Sequence, residues 1–177
     1  SGAIRELTKK MNSESLGYTV ALGIPELRKK ISSLYKEWYG LDINPDRVII
    51  TSGSSGAFIL AFTALFDTSD KVGIGAPGYP SYKQILRALD IEPVIIETNI
   101  ENKFQISPNS INNQELNGIL VASPANPTGS MLDSNQLTQL IKKCHDNSIS
   151  FISDEIYHGI EYQKKAVSAL EITDDCY

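Results

Sequence analysis

Asp154 and Tyr157 stand three residues apart in the run Ser153-Asp154-Glu155-Ile156-Tyr157, and their types and spacing can do chemistry. The run follows an apolar stretch, Ile149 to Ile152, that reads as a buried strand. An acid at the carboxyl end of a sheet strand lies where open α/β sheets bind ligands. A carboxylate there can hold a proton on a heteroaromatic nitrogen, because opposite charge raises that nitrogen's pKa. A phenol beside it can hydrogen-bond an oxygen on the same ring. The plainer alternative is a solvated acidic turn, the usual fate of an Asp-Glu pair. His158 can stack, titrate or fill a loop, and no catalytic role is assigned to it. His145, after the apolar stripe of a helix, is expected to face water.

Three other loops carry matching chemistry. Ser123-Pro124-Ala125-Asn126-Pro127-Thr128-Gly129 follows a strand, and each proline restricts the residue before it to extended backbone. Asn126 is therefore held stiffly, with its amide aimed away from the sheet, although Asn-Pro turns are common. Thr51-Ser52-Gly53-Ser54-Ser55-Gly56 joins a predicted strand to a predicted buried helix. Unpaired N–H groups and the positive dipole end make a helix start a phosphate site, and the hydroxyls of Ser54 and Ser55 add donors. The alternative is a flexible turn; neither a Walker loop nor a dinucleotide fingerprint occurs. Pro77-Gly78-Tyr79-Pro80-Ser81-Tyr82 places an aromatic at a strand end, where it can lie on a ligand ring or pack in the core. Tyr18, in Leu16-Gly17-Tyr18-Thr19, has no role that spacing alone assigns.

These loops need elements to hold them. Ala3 to Met11 reads as a helix ending in polar Asn12-Ser13-Glu14-Ser15. A second helix runs from Pro25 to about Trp38, with Leu27, Ile31, Leu34, Tyr35 and Trp38 on one face and Gly40 closing it. Asn44-Pro45-Asp46 is a turn. Strands and helices then alternate. The predicted strands are Val48 to Thr51, Lys71 to Ala76, Pro93 to Glu97, Gly118 to Ala122 and Ile149 to Ser153. Ala57 to Phe66, apolar nearly all round, reads as a buried helix. Tyr82, Ile85, Leu86 and Leu89 face inward from the next helix, and a short helix is expected after Ser107-Pro108. Asp133 and Gln136 form a capping box ahead of Leu137, Leu140, Ile141 and Cys144. This alternation predicts an α/β fold: a three-layer arrangement with a mainly parallel sheet and helices on both faces.

The bulk properties fit a globular chain and narrow its partners. The chain has 177 residues, enough for a real core, with 41% hydrophobic and 21% charged residues. A net charge of −5 and no basic run disfavour nucleic acid. No apolar stretch is long enough to span a membrane. The two cysteines, Cys144 and Cys176, have no metal-like spacing and fit a reducing, cytoplasmic location. Ser1-Gly2-Ala3 carries no signal pattern and reads as the inside of a helix. Asp174-Asp175-Cys176-Tyr177 reads as a turn entering a strand.

Taken together and in order, these segments resemble the class I/II aminotransferases, pyridoxal-phosphate enzymes of fold type I. The resemblance rests on Gly17-Tyr18-Thr19 with Gly23-Ile24-Pro25-Glu26-Leu27-Arg28, on Thr51 to Ala57, on Pro77 to Tyr82, on Ser123 to Gly129 and on Ser153 to Tyr157. Each is weak alone; the ordered set covers nearly the whole chain. It implies that Ser54, Ser55 and the Gly56 amide cradle the cofactor phosphate and that Tyr79 stacks on the pyridine ring. It implies that Asn126 and Tyr157 bind the ring hydroxyl oxygen and that Asp154 pairs with the ring nitrogen. Tyr18 resembles a tyrosine that reaches the phosphate of a neighbouring subunit, which implies a homodimer. Amino acids and 2-oxo acids would be the substrates.

The sequence also departs from the family. The lysine that bonds the cofactor lies in a Ser-x-x-Lys motif downstream of the Asp-x-x-Tyr segment, and none follows Tyr157 here. Lys164 and Lys165 lack the serine pattern, and the family's carboxylate-clamping arginine is also missing. The chain therefore reads as the middle of an enzyme. Residues 1–24 form an N-terminal helix and connecting segment, and 25–177 a partial large cofactor-binding domain. No turnover is expected from the chain alone. Three alternatives stay open: a non-catalytic fragment or remnant with weak or no cofactor binding, a related pyridoxal-phosphate lyase or synthase, and a generic nucleotide-binding domain.

Overall fold

A computed structural model of the chain describes residues 2–13, 17–18, 20–112 and 114–177. Glu14, Ser15, Leu16 and Thr19, which the sequence reading placed between the first two helices, lie outside the described residues. The chain divides into two compact units, Ser1–Ile50 and Thr51–Tyr177.

In the first unit, α1 is Gly2–Ser13 and α2 is Pro25–Tyr39. Proline opens α2, where its missing N–H costs nothing, and Gly40 closes it in the left-handed region at φ 75°, its N–H donating to Lys36 O. The expected inward stripe of α2 is only partly sheltered, for Leu27 and Leu34 are 44% and 36% exposed. The buried side chain is Arg28. Its Nε donates to Val48 O at 2.9 Å and its Nη2 to Pro45 O and Asp46 Oδ1, each at 2.8 Å. A buried guanidinium is tolerated because these acceptors replace its water. The Asn44-Pro45-Asp46 turn is present as a 3₁₀ turn, with the Asn44 side chain accepting from Asp46 N–H.

Val48–Thr51 is not a paired strand. Extended backbone becomes a strand only beside a partner. Among the described residues its ladder-like contact is Ile50 N–H donating to Leu22 O at 3.0 Å.

In the second unit, α3 (Ser54–Leu65), β1 (Lys71–Ala76), α4 (Pro80–Ala88), β2 (Glu92–Glu97), β3 (Gly118–Ala122), α5 (Ser134–Asp146) and β4 (Ser150–Asp154) follow in order. The four strands form one parallel sheet in the order β2-β1-β3-β4. Helices α3 and α4 supply Phe58, Phe62, Tyr82 and Leu86 to one apolar cluster, with Val72, Ile74, Leu120 and Ile152 from the sheet. Helix α5 supplies Leu137, Leu140, Ile141 and Cys144 to the other, with Ile119, Val121 and Phe151. Alternate residues of β3 thus face opposite layers, as the strand period requires. Burying a side chain such as Phe62 or Leu140 contributes about 1.5–3 kcal/mol.

Two local readings hold in detail. Asp133 and Gln136 exchange both capping-box bonds at the start of α5. The expected short helix after Ser107 is a 3₁₀ turn, Pro108–Ile111. A further reading needs correction. Helix α3 is not buried on all sides: Phe58 and Phe62 point inward, whereas Ile59 and Leu60 are 46% and 53% exposed. A helix on a sheet buries one face only, however apolar the other. At the far end, Tyr177 N–H donates to Phe151 O and Ser153 N–H to Tyr177 O, the pattern of a parallel neighbour beside β4.

Candidate functional site

The four chemically interesting segments of the second unit converge because the sheet is parallel. The loops after β1, β3 and β4 all leave from its carboxyl edge. Helix α3 runs down to the start of β1, so its N-terminus lies at that same edge.

Ser54, Ser55 and Gly56 form the first turn of α3 rather than a loop before it. Gly53 turns the chain into the helix at φ +83°, a conformation that favours glycine. The first helical bond is Ala57 N–H to Gly53 O, so the amides of Ser54, Ser55 and Gly56 precede the helical ladder. Three such N–H groups with two hydroxyls suit an anion.

Asp154 is the last residue of β4, opposite Ala122 of β3. It is buried, at 9% exposure. Its Oδ1 accepts Ile156 N–H at 3.1 Å and its Oδ2 accepts the hydroxyl of Tyr82. A carboxylate has about four lone-pair sites, so both oxygens can accept further donors. Burial, and then the Asp154 carboxylate, push the Tyr82 phenol well above its ordinary pKa. Tyr82 therefore remains a donor at any ordinary pH.

Asn126 and Tyr157 are brought together: Asn126 Nδ2–H donates to Tyr157 OH at 3.3 Å, between loops from neighbouring strands. The Asn126 loop is closed on itself by Ala125 N–H to Ser130 O at 2.9 Å and Gly129 N–H to Ala125 O at 2.7 Å. From below, the buried Gln105 amide donates to Ala122 O and Ser130 O. A cavity of about 440 Å³ lies beside the pair, lined in part by Pro124, Met131, Tyr157 and Glu161. Asp154 and Tyr79 do not line it.

Tyr79 immediately precedes α4 without a side-chain capping bond and is half-buried, its ring edge-on to Tyr82 at 5.3 Å between centroids. Tyr82 in turn meets Phe58 of α3 at 5.1 Å. An unbroken chain of contacts therefore runs from the first turns of α3 through Phe58 and Tyr82 to Asp154. Gly78 is required ahead of Tyr79, since a Cβ there would come within 2.4 Å of Gly75 O.

Tyr18 belongs to the first unit, and its side chain is fully exposed. Lys164 and Lys165 are exposed, as is His145. Sequence reading gave Tyr82 only a packing role and left His158 open. Tyr82 is the partner of Asp154, and the side chain of His158 is buried with its Nε2 donating to Ser123 O at 2.9 Å. The inward spacing of Tyr82 signalled burial, and a buried phenol needs a partner. Nothing local identified which. Among the described residues no cluster of ligating side chains could hold a metal, and no helix is long and apolar enough to cross a membrane.

The chain is similar to known proteins along nearly its whole length. The family model described as aminotransferase class I and II matches residues 2–176. A valine–pyruvate aminotransferase of Mycobacterium tuberculosis is 44% identical over 86% of this chain and 40% of its own length. A (5-formylfuran-3-yl)methyl phosphate transaminase of Methanocaldococcus jannaschii is 36% identical over 97% of this chain and 44% of its own. The crystal structure of an aminotransferase from Mycobacterium tuberculosis superposes with TM-score 0.94 at 40% identity, over 98% of this chain and 48% of that one. The chain thus spans less than half the length of the relatives it matches. It belongs to the class I and II aminotransferase family, and its sheet with flanking helices is that of a partial chain of such an enzyme.

Proposed function

We propose that this chain forms the cofactor-holding part of a pyridoxal-phosphate enzyme that moves an amino group between an amino acid and a 2-oxo acid. The observation that carries the reading is the buried Asp154 carboxylate at the carboxyl end of β4, with the Asn126–Tyr157 pair on the loops beside it. The donor set fits the cofactor. The first-turn amides of α3 with Ser54 and Ser55 suit its phosphate, Asp154 its protonated ring nitrogen, and Asn126 with Tyr157 its ring oxygen. Tyr79 would cover one ring face, and Tyr18 of a second copy would reach the phosphate in a homodimer. When bound, pyridoxal phosphate supplies an electron sink for the substrate carbon. The role of Asp154 is to keep the ring nitrogen positive, and that of Asn126 and Tyr157 is to hold the ring oxygen in place.

The amino-group chemistry of the whole protein, its donor and its acceptor rest on the relatives. Their printed substrates differ, from valine and pyruvate to a furan phosphate, so the substrate is proposed only as a class. The generic nucleotide-binding reading gives way to the family assignment. We keep the expectation that the 177-residue chain alone does not turn over, because no Ser-x-x-Lys follows Tyr157 within it.

The test is equilibrium titration of pyridoxal phosphate into this chain and into Asp154→Asn, read by absorbance and dialysis. The wild type should retain cofactor, and Asp154→Asn should bind about tenfold more weakly or worse, the equivalent of one unit of ring-nitrogen pKa. Equal affinity and identical spectra in the two would overturn the reading.

A further inference from the structure

We propose that His158, backed by Glu155, is a positioning residue that holds Asn126 and Tyr157 in register. The idea rests on the cofactor reading for its consequence but not for its geometry. Asn126 and Tyr157 lie on loops from different strands, and a separation of 3.3 Å between their polar atoms needs something to fix one loop against the other. His158 is the residue after Tyr157, and its side chain is 5% exposed. Its Nε2 donates to the carbonyl of Ser123, three residues before Asn126, at 2.9 Å. A carbonyl can only accept, so the proton on Nε2 is fixed. On the other side its Nδ1 faces Glu155 Oε2 at 3.6 Å.

Glu155 is itself anchored. Its carboxylate accepts Ser153 Oγ–H at 3.0 Å, Ser168 Oγ–H at 2.9 Å and Ala169 N–H at 2.8 Å. Ser168 is fully buried. Ser123 is tied at its other atoms too, its N–H donating to Asp154 O at 3.2 Å and its Oγ accepting Leu132 N–H at 3.0 Å. His158 thus spans from the fixed Glu155 to the fixed Ser123, and a buried polar bridge of this kind specifies one arrangement. Breaking it frees the β3 loop to shift against the β4 loop, and Asn126 moves off Tyr157. A shift of 1 Å is enough to spoil such a site.

The experiment compares wild type with His158→Phe, which keeps a ring but neither nitrogen, and His158→Gln, whose amide can still donate to Ser123 O. The cofactor-free readout is the nuclear magnetic resonance signal of the Asn126 side-chain amide and the Tyr157 ring. His158→Phe should shift both, and His158→Gln should restore them in large part. With pyridoxal phosphate, His158→Phe should weaken affinity about tenfold and move the pH midpoint of the bound cofactor's visible band, while His158→Gln stays near wild type. If His158→Phe does not fold, Ser168→Ala, which loosens Glu155, should shift the Asn126 amide in the same direction by less. Unmoved Asn126 and Tyr157 signals in a folded His158→Phe protein, or in Ser168→Ala where that variant replaces it, would overturn the proposal. Failure of the wild type to retain cofactor would instead sink the functional reading, and the resonance comparison would still decide the role of His158.

Discussion

The Tyr82 hydroxyl donates to the Asp154 carboxylate across 72 residues of chain, joining the first turn of α4 to the last residue of β4. Both groups are buried, so each supplies what the other lost in leaving water.

Tyr82→Phe should therefore cost about 1.5–3 kcal/mol, the range for a hydrogen bond to a charged group, in urea unfolding near neutral pH. The pH dependence has a definite sign. The folded phenol is held above its unfolded value of 10.0, so its contribution is complete below that pH and is lost progressively as pH rises beyond it. The wild type should lose stability on the alkaline side more steeply than Tyr82→Phe.

Ser54→Asp separates fold from phosphate binding. A carboxylate in the first turn of α3 meets the positive end of the helix and should stabilise it by about 0.3–1 kcal/mol. The same charge repels a phosphate from those amides. Thermal melting should rise slightly while pyridoxal phosphate binding is lost. A neutral Ser54→Ala change should weaken binding only several-fold.

Arg28 and Asp46 should prove unequal. Arg28→Met leaves the Val48 carbonyl without its donor and the Pro45 carbonyl with only the Val48 N–H, whereas Asp46 is 82% exposed at its side chain. Arg28→Met should cost about 2–4 kcal/mol, and Asp46→Asn less than about 1 kcal/mol. Amide hydrogen exchange in α2 would report both.

Cys144 offers a probe of opening. Burial pushes its thiol up to about 12, and the side chain packs in the α5 core. A thiol reagent near neutral pH should label it only in denaturant, at the rate at which the core opens.

Gly78→Ala should disturb the site without touching the core. The new methyl group would press on Gly75 O, so the loop carrying Tyr79 must move. The expected result is a near-native melting temperature with weaker cofactor affinity, measured by the same titration.

What the sequence revealed depended on the range of the interactions. The Asp133–Gln136 box and the Gly40 stop were legible because each is decided within a few residues, and the four paired strands because their apolar runs alternate with helices along the chain. The inward face of α4 was legible from its spacing. The Val48–Thr51 segment was misread as a strand because strand formation depends on a distant neighbour. Helix α3 was misread as fully buried because its composition is apolar on the face that the sheet does not cover. Asp154, Asn126 and Tyr157 were legible as an ordered set. The contacts that hold them, Tyr82 on Asp154 and His158 between Ser123 and Glu155, join residues far apart in the chain.

The outward flank of α3, with Ile59 and Leu60 in water, has a practical consequence. Greasy surface of this sort governs colloidal behaviour more than folding. Purified by itself, the polypeptide should become sticky as its concentration rises, take up environment-sensitive dyes while still native, and stay dispersed better once those side chains are exchanged for glutamate or lysine.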